Sequence, residues 1–176
     1  MKLLIRTILL LSFLCFTISE STAQCNQTYN WTTWQNFTGQ SASGIINYGS
    51  QTVNVTMTAN YSFGSTPGIF NYPAFNGFNS VIPNSTVPST TWSFGVGGST
   101  TMCFNQTVSN PVLLISSLGA PNLSVTLNFS LPFIQLYNGG GMSYPNNTTA
   151  VGTEGYAILL FPGNFNCVSI FSTTAD

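Results

Sequence analysis

Gln51-Thr-Val-Asn-Val-Thr-Met-Thr-Ala-Asn-Tyr-Ser62 alternates without a break. Val53, Val55, Met57, Ala59 and Tyr61 occupy one parity, and Thr52, Asn54, Thr56, Thr58 and Asn60 the other. Successive side chains point to opposite faces of a strand, so the stretch predicts a β-strand with one face on a core and one in water. Asn122 to Ser130 repeats the pattern, with Leu123, Val125, Leu127 and Phe129 opposing Ser124, Thr126 and Asn128. Weaker segments of the same kind run over 32–38, 44–48, 91–96, 100–108, 112–118, 133–137, 156–161 and 166–172.

Turn signals interrupt these segments at short intervals: Ser109-Asn110-Pro111, Gly119-Ala120-Pro121, Asn138-Gly139-Gly140-Gly141 and Pro162-Gly163-Asn164. No window shows a capped, amphipathic helical period. Many short strands with regular turns predict an all-β fold, an antiparallel β-sandwich or jelly roll in a single domain. Shared parity places Val53, Val55, Met57, Tyr61, Trp92, Phe94, Leu123, Val125, Leu127, Phe129, Ile158 and Leu160 in one core.

Two stretches read as long connections, 64–90 and 139–155. The first holds Phe70, Tyr72, Phe75 and Phe78 among prolines and glycines, and the second holds Tyr144 and Glu154. Long loops in small domains often carry function, so these five aromatic residues are the expected ligand-binding platform, and the rival reading is that each segment folds over a sheet end and uses its aromatics as a minor core. Pro67, Pro73, Pro83 and Pro88 restrict the first loop, which lowers the entropy lost on binding.

Residues 1–23 begin with Lys2 and Arg6, continue in an apolar run and end on Ser21 and Ala23 in the small positions before a cut. That is the pattern of a secretory signal peptide, leaving residues 24–176 as the expected domain. The apolar run falls short of the roughly 18 residues that indicate a membrane span. Lys2 and Arg6 are the only basic side chains, and the chain has no histidine. A mature chain with no cation cannot neutralise phosphates, which excludes nucleic acid and anionic membrane surfaces as expected partners. Solubility then rests on Asn, Ser, Thr and Gln, with little charge repulsion to oppose self-association.

Cys25, Cys103 and Cys167 follow the leader. An exported chain can keep a disulfide, and their spacing fits no zinc pattern. Thr22-Ala23-Gln24 lacks the leucine and small residue expected ahead of a lipid-bearing cysteine. Met102 and Phe104 take the core parity around Cys103, as Val168 and Ile170 do near Cys167. Both thiols should therefore face outward and can pair if their strands are neighbours, with Cys25 left over.

Asn110-Pro-Val-Leu-Leu-Ile-Ser-Ser-Leu-Gly119, Ser124-Val-Thr-Leu-Asn-Phe129, Gly152-Thr-Glu-Gly-Tyr-Ala-Ile158 running on to Phe161, and Gly163-Asn-Phe165 together resemble a recurrent β-sandwich module. Such modules occur in secreted and surface proteins of Bacteroidota and other bacteria. The likeness covers Cys103 to Thr174, and it implies an adhesin-like surface domain without implying an activity.

Catalysis by general acids and bases draws on His, Glu, Asp, Lys, Tyr or Cys. Glu154 is the only internal carboxylate of the mature chain, and Asp176 ends it. A glycosidase ordinarily uses two carboxyl groups about 5 to 9.5 Å apart, and a nucleophilic serine or cysteine wants an adjacent base. The inventory therefore predicts a protein that is not an enzyme and uses no cofactor or metal. Glu154 can be read as a sparse calcium ligand, but a carboxylate accepting backbone hydrogen bonds in a turn is the simpler expectation.

Eleven Asn-x-Ser/Thr sequons follow the leader, at Asn26, Asn30, Asn36, Asn54, Asn60, Asn84, Asn105, Asn122, Asn128, Asn146 and Asn147. A strand face built of Asn, Ser and Thr generates that spacing by itself, because i and i+2 share a face. The expected function is a non-catalytic extracellular protein for adhesion, surface or matrix interaction. A second expectation is a carbohydrate-binding module that uses the loop aromatics, or Trp31 and Trp34, as its platform. A third is ice binding by the Thr52, Asn54, Thr56 and Thr58 face.

Overall fold

The computed structural model describes residues 29–62, 64–67, 81, 90–93 and 97–173. The named elements are all strands: β1 (Thr33–Thr38), β2 (Ser41–Tyr48), β3 (Gln51–Ala59), β4 (Gly64–Pro67), β5 (Thr90–Ser93), β6 (Ser99–Ser109), β7 (Val112–Leu118), β8 (Val125–Phe129), β9 (Ile134–Asn146), β10 (Thr149–Leu160) and β11 (Asn164–Ser172). Every pairing between them is antiparallel. One curled, half-barrel sheet runs in the order β1, β2, β3, β6, β11, β8, β10, β7, with β9 paired to β10 off that path. β4 and β5 form a separate two-stranded ladder, in which Pro67 faces Thr90.

Alternation places the core. Val53, Val55 and Met57 on β3 are buried, whereas Thr52, Asn54, Thr56 and Thr58 between them are exposed. Val125, Leu127 and Phe129 on β8 and Met102 and Phe104 on β6 join the same core. Tyr61 is half-buried, and its phenol oxygen lies 2.6 Å from Oγ1 of Thr100, a residue with no exposed surface. The pairing satisfies a hydroxyl that the inward parity of β6 carries into an apolar interior. Leu123 departs from expectation, since it is 42% exposed. It sits in the turn after Asn122, whose φ is 71°, and forms an isolated bridge with Ala120 before the strand begins at Val125. The side chains of Trp92 and Phe94 lie outside the described residues.

Ile158 and Leu160 also correct the expected core. Ala157, Leu159 and Phe161 face the main core, whereas Ile158 is buried in a second cluster with Tyr29, Trp31, Val112, Leu114 and Leu136. Leu160 shares the parity of Ile158 and is half-buried. Nearer the start of β10 the inward residues are the even-numbered Ala150 and Gly152. The parity inverts across Thr153–Tyr156, where Glu154 takes φ 56° and the β9–β10 register shifts. An extra residue in a ladder moves every later side chain to the opposite face.

The expected connection over 139–155 is a long hairpin instead. β9 and β10 pair along it through a turn at Asn147-Thr148. Its glycines mark bulges, not a loop. Gly141 has φ 68°, and a Cβ there would come 2.5 Å from the carbonyl oxygen of Thr153. The close approach of the two backbones excludes a side chain.

Cys103 on β6 stands directly opposite Cys167 on β11, with their Cα atoms 4.1 Å apart, and the two form a disulfide. Cys103 is half-buried and Cys167 exposed, flanked by the buried Met102, Phe104 and Val168. The bridge therefore lies on the outer face, as parity predicts. Cys25 lies outside the described residues.

Candidate functional site

The inward parity of β2, β3 and β6 stays apolar through the middle of the sheet and turns polar at one end. On β2 it runs Ala42, Gly44, Ile46, Tyr48, and on β3 it runs Met57, Val55, Val53, Gln51. Tyr48 and Gln51 pair across the turn at Gly49-Ser50, with Gly49 at φ 59°. A positive φ is what a tight hairpin between twisted strands requires. On β6 the same parity continues from Met102 and Phe104 to Gln106 and Val108.

These ends enclose a cleft of about 440 Å³. Val53, Met102 and Phe104 form its floor, and Tyr48, Gln51 and Gln106 its rim. The segment Tyr29 to Thr32 supplies the facing wall, and Tyr29 and Trp31 of that segment also pack on the cluster around Ile158. The remaining wall is the turn from β6 to β7. There Asn110, at φ 50°, donates its backbone N–H to the carbonyl of Gly163 at 2.7 Å and accepts from the N–H of Gly163 at 2.8 Å. Two reciprocal bonds tie this turn to the one between β10 and β11, so the wall is held from both sides.

Phe70, Tyr72, Phe75 and Phe78 lie outside the described residues. Tyr144 is not at the cleft. It lies on β9, where its ring meets Phe133 edge-on at 5.8 Å and packs on the main core. Its hydroxyl is buried with no hydrogen-bond partner among the described residues, and burial pushes the phenol from 10.0 up to about 12. The expectation that Tyr144 belongs to an exposed platform is thereby corrected: a strand, not a loop, carries it, and the strand turns its ring inward. Of the two candidate tryptophans, Trp31 lines the cleft, whereas Trp34 is only 8% exposed and belongs to the core.

Tyr48, Gln51 and Gln106 are not among the site residues that the sequence brings forward. The signal was present, because each continues the inward parity of a strand already assigned, at the point where an apolar residue gives way to an amide or phenol. Tyr48 is 56% exposed, which a core residue of that parity would not be.

Glu154 stands apart from the cleft. Its carboxylate accepts from the hydroxyl of Ser117 at 2.7 Å and from that of Tyr156 at 3.4 Å. It lies within β10 and accepts from hydroxyl groups, not from the backbone amides of a turn. Among the described residues no group of three or more His, Cys, Asp or Glu side chains gathers at one place. The exposed Thr52, Asn54, Thr56 and Thr58 row has Ile45 and Cys103 among its cross-strand neighbours, so threonine does not extend across the sheet as a plane.

The described lining of the cleft contains no carboxylate, amine or imidazole. What it offers is aromatic surface, apolar floor and neutral hydrogen-bonding groups, a combination suited to holding a ligand. Comparison of the chain with protein-family models, with curated proteins and with solved structures finds no match.

Proposed function

We propose that the protein is an extracellular, non-catalytic binding protein serving adhesion, surface or matrix interaction. The observation that carries this reading is the neutral cleft at the end of β2, β3 and β6, where aromatic and amide side chains converge and no described side chain carries charge. Recognition there relies on shape, ring contacts and hydrogen bonds. The disulfide between β6 and β11 supports an oxidising compartment, since such bonds persist outside the cytoplasm. Secretion through the leader, closure of the curled sheet into a sandwich or jelly roll, and kinship with bacterial surface modules belong to the same proposal. So does the freedom of a nearly uncharged surface to associate with itself.

The experiment coats the purified, disulfide-intact protein on an inert surface. It then measures retention of bacterial cells, of host cells and of matrix polymers against a heat-denatured coat. Saturable retention by the folded protein alone is the expected result. Equal retention on both coats, or none on either, removes the reading, as does turnover of a glycan, peptide or ester substrate by the soluble protein.

A further inference from the structure

We propose that the cleft between the β2–β3 turn, β6 and the Tyr29–Thr32 segment binds a neutral carbohydrate, with Tyr48 and Trp31 as ring faces and Gln51 and Gln106 as partners for hydroxyl groups. This assignment rests on the reading of the chain as a binding protein and names the ligand class. It also builds the site from residues other than the loop aromatics that the sequence brings forward.

Three properties of the cleft select the occupant. Its described lining holds no ionisable carboxylate or base, so a charged ligand would lose its hydration without gaining a counter-ion. Its floor of Val53, Met102 and Phe104 is apolar, so a ligand polar on every face would leave that surface uncovered. Its rim carries Gln51 and Gln106, so a wholly apolar ligand would strip water from amides and return no hydrogen bond. A sugar ring resolves all three, because its C–H face packs on an aromatic ring or an apolar floor while its hydroxyls both donate and accept at the edge. The side-chain amides of Gln51 and Gln106 make no hydrogen bond to a described residue, which leaves both their N–H and C=O groups to the ligand. The cleft volume of about 440 Å³ also lies in the range of roughly 300–1,000 Å³ typical of small-ligand sites.

Tyr48 is the decisive residue. It ends β2 beside a two-residue turn and is 56% exposed, so the fold gains little from an aromatic ring at that position. A large apolar ring left half in water at the lip of a cleft is the arrangement in which a sugar-stacking side chain waits for its ligand.

The test applies an array of neutral glucose-, galactose-, mannose- and N-acetylglucosamine-based oligosaccharides to the disulfide-intact protein. Hits are titrated by calorimetry against the unchanged chain and against Tyr48→Ala, Gln106→Ala and Phe171→Ala. Phe171 lies on β11 outside the cleft lining and is 49% exposed, which makes it a control for the loss of any exposed ring. The expected result is a neutral glycan whose affinity falls about tenfold or more in Tyr48→Ala and in Gln106→Ala but not in Phe171→Ala, with melting temperature unchanged. Glycan binding that survives both cleft substitutions in folded protein places recognition elsewhere and overturns the assignment. Absence of glycan binding also overturns it, and retention on the coated surfaces then separates the two claims. Retention that persists leaves the general binding reading standing, whereas its absence removes both. A fluorescent fatty acid that binds where glycans do not, and is weakened by Tyr48→Ala, overturns the carbohydrate class in favour of an apolar ligand.

Discussion

The hydroxyl of Ser117 donates to Oε1 of Glu154 at 2.7 Å, joining two residues on paired strands that both hold left-handed backbone angles, φ 54° and 56°. Neither is glycine, and a non-glycine residue in that region is uncommon. On β7 the core-facing residues change parity between Ile115 and Leu118, and on β10 they change between Gly152 and Ala157. The bond therefore spans two facing irregularities, at the place where β10 leaves β8 and takes up β7 as its neighbour. It gives the left-handed backbone at each residue a local stabilising partner.

Substitution at Glu154 separates backbone strain from the hydrogen bond. Glu154→Gly relieves the strain and loses the bond, so stability to urea should change by less than about 1 kcal/mol. Glu154→Val keeps the strain, adds a branched Cβ to a left-handed position and loses the bond, so a loss of about 2 kcal/mol or more is expected. Equal stability of the two variants would show that the bulge does not depend on this backbone angle.

The parity inversion also predicts unequal costs for neighbouring leucines. Leu159 has no exposed surface and packs in the main core, whereas Leu160 is half-buried on the other face. Leu159→Ala should destabilise by about 2–5 kcal/mol and Leu160→Ala by clearly less. Urea midpoints of the two variants check the order, and a larger loss at Leu160 would restore the uninterrupted alternation that the sequence alone implies.

Removing the Cys103–Cys167 bridge tests how far it holds β6 against β11. The cysteines are 64 residues apart, and chain-entropy reasoning assigns such a closure about 4 kcal/mol. The double Cys→Ser variant should unfold at lower denaturant with about 2–4 kcal/mol less stability, and a reducing agent should do the same to the unchanged protein. No difference between oxidised and reduced protein would mean that the ladder suffices without it.

Tyr144 makes stability fall in alkali. Burial raises its phenol to about 12 in the folded chain, so an unfolded chain with an ordinary phenol near 10.0 releases the proton first. Its contribution is fully present below about pH 10 and is lost as pH rises toward about 12. Tyr144→Phe should flatten that decline. The same substitution should raise stability at neutral pH by up to about 1 kcal/mol, because it removes a buried hydroxyl that has no described partner. Parallel pH–stability curves of the two proteins check both effects, and a neutral-pH loss in the variant would reveal a partner for the hydroxyl.

Much of the fold is legible from alternation, and its failures have local causes. Val53, Val55, Met57, Val125, Leu127 and Phe129 are buried as their parity requires, and the outward faces around Cys103 and Cys167 bring the thiols together. Gly139-Gly140-Gly141 reads as a loop, because glycine permits a turn and a bulge equally well, and only the facing carbonyl of Thr153 distinguishes them. The cleft was half legible. Trp31 stands out in the sequence as a candidate aromatic platform, whereas Tyr48, Gln51 and Gln106 acquire meaning only when three strand ends meet.

The sequence by itself determined the strand character, the apolar and neutral polar faces, the scarcity of charge and the outward direction of the bridging cysteines. These follow from side-chain chemistry and the two-residue period of a strand, both of which are local. Only the tertiary structure decided that β6 lies between β3 and β11, that β10 inverts its faces at Glu154, and that Tyr48, Trp31 and Gln106 share a cleft. Strand order depends on contacts between distant segments. A left-handed angle at a serine or glutamate persists because its neighbours over-determine it, so the residue alone does not announce it.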